Sequence, residues 1–164
     1  GVSKSFAMTG WRLGYIGAPL HIAQACTKIQ GQFTSGTSSI SQRAAIAAVS
    51  ANPSEIHEMR DAFLSRRDFI LEELNKIKGI NINQPQGAFY VFPDVSAFFN
   101  KSYGNFTVTN SDQLAMYILE TAKVAVVTGN AFGSPNCIRI SYASSMEKLK
   151  DAMDRIATAL NNLN

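Results

Sequence analysis

Three basic side chains offer the most specific chemistry in this 164-residue sequence: Lys4, Arg12 and Arg139. Lys4 lies in a dense run, Ser3-Lys4-Ser5-Phe6-Ala7-Met8-Thr9-Gly10-Trp11-Arg12-Leu13-Gly14-Tyr15. A lysine amine is a nucleophile only when deprotonated, and desolvation or a neighbouring cation lowers its pKa in that direction. Arg12 belongs to the same run. Its planar guanidinium donates two parallel charged hydrogen bonds, a geometry that suits a phosphate. Gly10 is expected to let the intervening chain turn tightly. Arg139 sits in Cys137-Ile138-Arg139-Ile140-Ser141-Tyr142. As a strand, this stretch points Cys137, Arg139 and Ser141 one way and Ile138, Ile140 and Tyr142 the other. A charge stranded among branched apolar residues is costly, so this guanidinium calls for a carboxylate, from a ligand or from the protein itself.

Other residues give weaker signals. Cys26 and Cys137 are far apart and lack metal-ligand spacing, which reads as two reduced thiols with no disulfide and no metal site. His21 and His57 fall on predicted helices with no partner spacing and are read as surface or capping residues. The 15 Lys+Arg and 12 Asp+Glu leave a net charge of +3, and no basic run forms a stripe, which excludes a nucleic-acid partner. With 46% hydrophobic and 16% charged residues, the chain is globular and not disordered. No apolar run approaches the ~20 residues of a membrane helix, and the opening residues lack the pattern of a signal peptide. The expectation is a cytoplasmic protein with no membrane association.

Periodicity gives the elements that must position these residues. Trp11, Leu13, Tyr15 and Ile16 favour a strand closed by Pro19. A helix is expected from Leu20 to about Gln30, then a Ser/Thr-rich stretch and an Ala-rich helix from about Ser41 to Val49. Asn52-Pro53-Ser54 marks a boundary, with Ser54 capping a long helix from Glu55 to Lys78 and Gly79 stopping it. Strands are expected at 88–92, 124–127 and 137–142. Helices are expected at 111–122, with Leu114, Ile118, Leu119 and Ala122 on one face, and after a Ser144/Glu147 capping box. Phe89, Phe92, Phe98 and Phe99 are read as core. The fold class is α/β, with a division into residues 1–50 and 51–164 and the Glu55–Lys78 helix tying the two together. The opening residues read as the inside of a larger protein.

The run from Ser3 to Tyr15 resembles the lysine motif of class I aminotransferases, in the fold-type I pyridoxal-phosphate group. Its form is most similar to that of bacterial-type aspartate aminotransferases. The resemblance continues at Gln42 to Ala45, Gly87-Ala88-Phe89-Tyr90, Gly129 to Gly133 and Arg139 to Ala143. It spans the whole chain but corresponds to only the C-terminal portion of a typical member. It implies the end of a large pyridoxal-binding domain over residues 1–50, then a small C-terminal α/β domain over 51–164. It implies transfer of an amino group from an L-amino acid, aspartate first, to a 2-oxo acid such as 2-oxoglutarate. By the same resemblance Lys4 holds pyridoxal 5'-phosphate as a Schiff base and shuttles the proton, Arg12 binds the phosphate, and Arg139 clamps the substrate α-carboxylate. A homodimer is also implied. Two departures stand out: Gly1 replaces a phosphate-binding serine, and Gly36-Thr37 replace an Asn-Pro beside Ser35. In the family the groups that touch the cofactor ring precede the lysine, so the 164 residues alone are expected to be inactive. Aromatic, prephenate or alanine aminotransferases and related lyases share the motif, and a folded or dimerising module without activity is the non-enzyme alternative.

Overall fold

Apolar residues spaced by one helical turn, together with oxygen-bearing side chains at the turn entrances, account for most helices in the computed structural model, which describes residues 1–164. The chain divides into two compact units, Gly1–Arg60 and Asp61–Asn164. The division falls beyond the boundary expected at residues 50–51. It lies inside a helix, α4 (His57–Lys76).

The first unit begins with a single helical turn, α1 (Val2–Ser5), and a 3₁₀ turn at Thr9–Trp11. Helices α2 (Leu20–Phe33) and α3 (Ser39–Ser50) follow, then a 3₁₀ turn at Pro53–Ile56 that leads into α4. Ser38 caps α3, its Oγ accepting from the Ser41 N–H at 3.5 Å. The cap after the Pro53 boundary is Asn52, not Ser54. Asn52 Oδ1 accepts from the Ser54 N–H at 3.0 Å, and Pro53 fills the first turn, where no N–H is needed. Val2, Met8 and Ala45 form a small buried cluster, flanked by Phe6, Leu13, Ala44 and Ala48. The strand expected over Trp11–Ile16 is absent: a strand exists only through ladder hydrogen bonds, and no strand of the protein pairs with this segment. Helix α2 has the expected apolar spacing but buries none of its residues, and Leu20, Ile29 and Phe33 are exposed.

The second unit holds the main core. Strands β1 (Tyr90–Val91), β4 (Val127–Thr128) and β5 (Ile138–Ser141) form an antiparallel sheet in the order β1-β5-β4. Tyr90 lies opposite Ser141, and Val127 lies opposite Arg139. β1 is shorter than expected because Ala88 adopts φ 63° before it and Pro93 lacks an N–H after it. A hairpin of β2 (Lys101–Tyr103) and β3 (Phe106–Val108), turned at Gly104-Asn105, was not anticipated from the sequence. Helix α5 (Ser111–Ala122) is capped by Asn110, whose Oδ1 accepts from the Gln113 N–H at 3.0 Å. The cap of α6 (Met146–Asn162) is Ser145, one residue beyond the expected Ser144, accepting from the Lys148 N–H at 3.3 Å. Leu149, Met153, Ile156 and Leu160 of α6 pack with Leu114, Tyr117 and Ile118 of α5, Ile70 and Leu74 of α4, and Ile138 and Ile140 of β5. Leu119, expected on the buried face of α5, is exposed, and Tyr117 is buried there, its hydroxyl donating to the Ala159 carbonyl at 2.8 Å. No helix is long and apolar enough to cross a membrane.

Candidate functional site

Lys4 lies in α1, and Arg12 terminates the 3₁₀ turn that follows; both are exposed. The loop between them is fixed from beneath and from both ends. Val2 and Met8 are buried against Ala45 of α3, and the Ser41 hydroxyl donates to the Trp11 carbonyl at 2.9 Å. Across the loop, Thr9 Oγ1 donates to the Ser3 carbonyl at 3.0 Å. The tight turning comes from Ala7 (φ 53°) and Arg12 (φ 52°), and Gly10, singled out for that role, is not left-handed. Two non-glycine residues in the left-handed region within one short loop are backbone strain that the packing on α3 sustains. Arg12 was expected at the start of a strand. Instead its left-handed backbone lets Nη1 donate to the Thr9 carbonyl at 2.8 Å, and its guanidinium makes no ion pair with any Asp or Glu of the protein.

Arg139 is placed by β5 as the alternation requires. Ile138, Ile140 and Tyr142 are buried on one face, and Arg139 is half-buried on the other. No Asp or Glu pairs with it. Two aromatic rings do: the guanidinium carbon lies 4.3 Å from the Tyr90 ring centroid and 4.2 Å from that of Phe132. Tyr90 reaches Arg139 diagonally from the neighbouring strand, since Tyr90 faces Ser141 in the register. Phe132 closes a 3₁₀ turn, Gly129–Phe132, and its ring meets Phe92 edge-on at 6.0 Å. Neither Tyr90 nor Phe132 was singled out for a role from sequence. The available signal was the alternation that puts Tyr90 and Phe92 on one face, next to a glycine-flanked phenylalanine. Of the four phenylalanines read as core, Phe98 is buried and Phe89 and Phe99 pack against the core, whereas Phe92 serves this aromatic group.

The two guanidinium groups therefore share one property: neither is neutralised by a carboxylate of this chain. Arg12 offers an exposed fork beside an exposed lysine, and Arg139 offers a fork flanked by rings. Comparison with known proteins decides the family: the model for aminotransferase class I and II matches residues 1–156. The chain belongs to that family. A bifunctional aspartate aminotransferase and glutamate/aspartate-prephenate aminotransferase from Petunia hybrida is 49% identical over 164 residues, covering 98% of this chain and 34% of the relative. An aspartate aminotransferase from Rhizobium meliloti is 44% identical, covering 99% of this chain and 40% of the relative. Among solved structures, that of the Rhizobium meliloti aspartate aminotransferase aligns over 100% of this chain and 41% of its own length, with a TM-score of 0.96 and 41% identity. An aromatic aminotransferase from Pyrococcus horikoshii aligns with a TM-score of 0.88 at 36% identity, over 98% of this chain and 42% of its own. The chain thus carries part of the α/β fold of fold-type I aminotransferases and spans 34% to 40% of the length of these curated relatives.

Proposed function

We propose that the protein carrying this chain transfers an amino group from an L-amino acid to a 2-oxo acid, with pyridoxal 5'-phosphate held on Lys4. The observation that carries this reading is the loop from Val2 to Arg12. It is anchored by buried Val2 and Met8, and it presents the exposed Lys4 amine and the exposed Arg12 guanidinium at its two ends. These residues fit the cofactor. A phosphate needs a charged, geometrically fixed fork, and the Thr9 carbonyl holds the Arg12 side chain through a single nitrogen, leaving the others to donate. When bound, the cofactor supplies the electron-accepting ring that makes the substrate α-proton acidic. Lys4 Nζ is the covalent anchor and, once displaced by substrate, the base that carries that proton. Arg139 receives the substrate α-carboxylate on its fork and fixes its orientation.

Aspartate is the substrate we assign first, because the names of the Petunia hybrida and Rhizobium meliloti relatives share it; prephenate appears in the former. The same reading makes the protein a cytoplasmic homodimer, residues 1–50 the end of a large cofactor-binding domain and 51–164 a small domain. It also makes the 164 residues inactive without the ring-contacting groups. The test is covalent trapping: with stoichiometric pyridoxal phosphate, borohydride fixes the label at Lys4 in preference to the other lysines, and Lys4→Ala loses that preferential label. In the enzyme with its whole site, Lys4→Ala abolishes amino exchange between aspartate and 2-oxoglutarate. Exchange at the parent's rate in that variant would overturn the proposal.

A further inference from the structure

We infer that Tyr90 and Phe132 are positioning residues: their rings lock the Arg139 guanidinium so that it offers its in-plane N–H edge, and not its faces, to a ligand carboxylate. This deepens the reading of Arg139 as the carboxylate site and rests on it. Both ring centroids lie well within the ~6 Å reach of a cation–π contact. The guanidinium carbon lies over both rings, 4.3 Å from the Tyr90 centroid and 4.2 Å from that of Phe132, and no Asp or Glu competes for it. A guanidinium stacked on rings still has its in-plane N–H donors, and that edge matches the two coplanar oxygens of a carboxylate.

Phe132 is held in place by a loop built for rigidity. Gly129 is buried, and a Cβ there would run into the carbonyl oxygens of Ser134 and Cys137. Its N–H donates to the Cys137 carbonyl at 2.8 Å, and its carbonyl accepts from the Ser134 N–H at 3.0 Å. Gly133 turns the chain at φ 72°, and Asn130 Nδ2 donates to Asp112 Oδ2 at 2.7 Å. Upstream, the Thr128 and Ser111 hydroxyls are 2.9 Å apart, tying the loop's entrance to α5. All this order supports a phenylalanine that remains 47% exposed, which core packing does not explain. Its service is to Arg139. A restrained guanidinium loses less rotamer freedom when a carboxylate binds, and the flanking rings keep water from its faces, which strengthens the ion pair.

The test uses the 164-residue chain with acetate as the probe, reading Arg139 Nε–H by nitrogen NMR. In the parent, Arg139 Nε is rigid on the ps–ns scale and shifts on acetate titration. Phe132→Leu and Tyr90→Leu mobilise it and weaken acetate binding about two- to fivefold each, the equivalent of one lost stack. Tyr90→Phe and Phe132→Tyr, which keep the rings, retain parent rigidity and affinity. Unchanged Ile138 and Ile140 amide signals report an intact sheet, and Phe132→Leu, on an exposed side chain, decides the matter by itself if Tyr90→Leu disturbs β1. Leu variants that keep the parent's rigidity and affinity overturn the inference, as does a parent whose Arg139 ignores acetate. Failure of pyridoxal phosphate to label Lys4 refutes the aminotransferase reading and leaves these Arg139 signals unchanged, so the two failures are separable.

Discussion

Replacing Arg139 by methionine separates a ligand-binding arginine from a structural one. If Arg139 were the buried half of a structural ion pair, removing it would leave an uncompensated carboxylate and cost about 3–5 kcal/mol. The structure gives a different sum. Arg139 has no Asp or Glu partner, and its protein contacts are the Tyr90 and Phe132 rings. Two cation–π contacts at a half-exposed site are worth about 0.5–1 kcal/mol each. Methionine recovers part of that, since thioether–aromatic contacts contribute about 0.3–1.5 kcal/mol. It also removes a partly desolvated charge that nothing in the chain neutralises. The expected change in unfolding free energy is therefore within about 1 kcal/mol of zero. Denaturant-dependent hydrogen exchange at the Ile138 and Ile140 amides, both on β5, measures it locally. Acetate binding, read at the Tyr90 and Phe132 ring protons, should vanish in the same variant. A destabilisation above about 3 kcal/mol would refute the reasoning, because it would mean that Arg139 neutralises a protein carboxylate.

Leu114 is fully buried where α5 meets α6, so Leu114→Ala should cost about 2–5 kcal/mol in urea unfolding of the second unit. Asn110→Ala removes the α5 cap and should cost about 1 kcal/mol, with fraying visible as faster exchange of the Gln113 amide. Gly129→Ala forces a Cβ against two backbone carbonyls that cannot swing away, and should both destabilise the second unit and mobilise the Arg139 side chain. Burial raises the phenol pKa values of Tyr117 and Tyr142. The unfolded chain therefore releases these protons first as pH rises through about 10. The associated stability is intact below that pH and declines above it. Thermal melts between about pH 8 and 11 should show the decline, and Tyr117→Phe should make it shallower.

Local chemistry was the part of this molecule most legible in its sequence. The alternation of Cys137 to Tyr142 foretold the buried and open faces of β5, and the apolar spacing from Leu149 to Leu163 foretold the seam of α6. Caps slipped by a residue or two, from Ser54 to Asn52 and from Ser144 to Ser145, because adjacent polar residues compete for the same N–H groups. The Asn110/Gln113 cap and the Gly104-Asn105 hairpin turn carry short local signals, an Asn before a helix and a Gly-Asn pair between two strands. The strand expected after Gly10 failed for a different reason. Residue preference describes fit to a pleated surface, but a strand forms only where a second strand supplies hydrogen bonds. The Arg139 stack was hidden because its members sit at positions 90, 132 and 139 and meet only through the β1–β5 register and the turn at Gly129.

Two other arginines of the chain show the contrasting, carboxylate-paired arrangement. Arg67 donates to the Pro85 carbonyl at 3.2 Å and pairs with Asp68 at 2.6 Å. Arg155 donates to the Ala122 carbonyl at 3.0 Å and pairs with Asp151 at 2.6 Å. In both, one carbonyl fixes the side chain and one carboxylate neutralises it, which is the arrangement expected of a structural guanidinium. Arg12 has the fixing carbonyl, from Thr9, but no carboxylate; Arg139 has rings in place of both. Holding a cation in place while leaving it without an anion gives up stability that a ligand bound only by the folded state restores. On the proposed function, two such deficits, one on a strained loop and one beside aromatic rings, would be met by a phosphate at Arg12 and a carboxylate at Arg139. Those are the two anions that a pyridoxal-phosphate enzyme acting on amino acids has to hold.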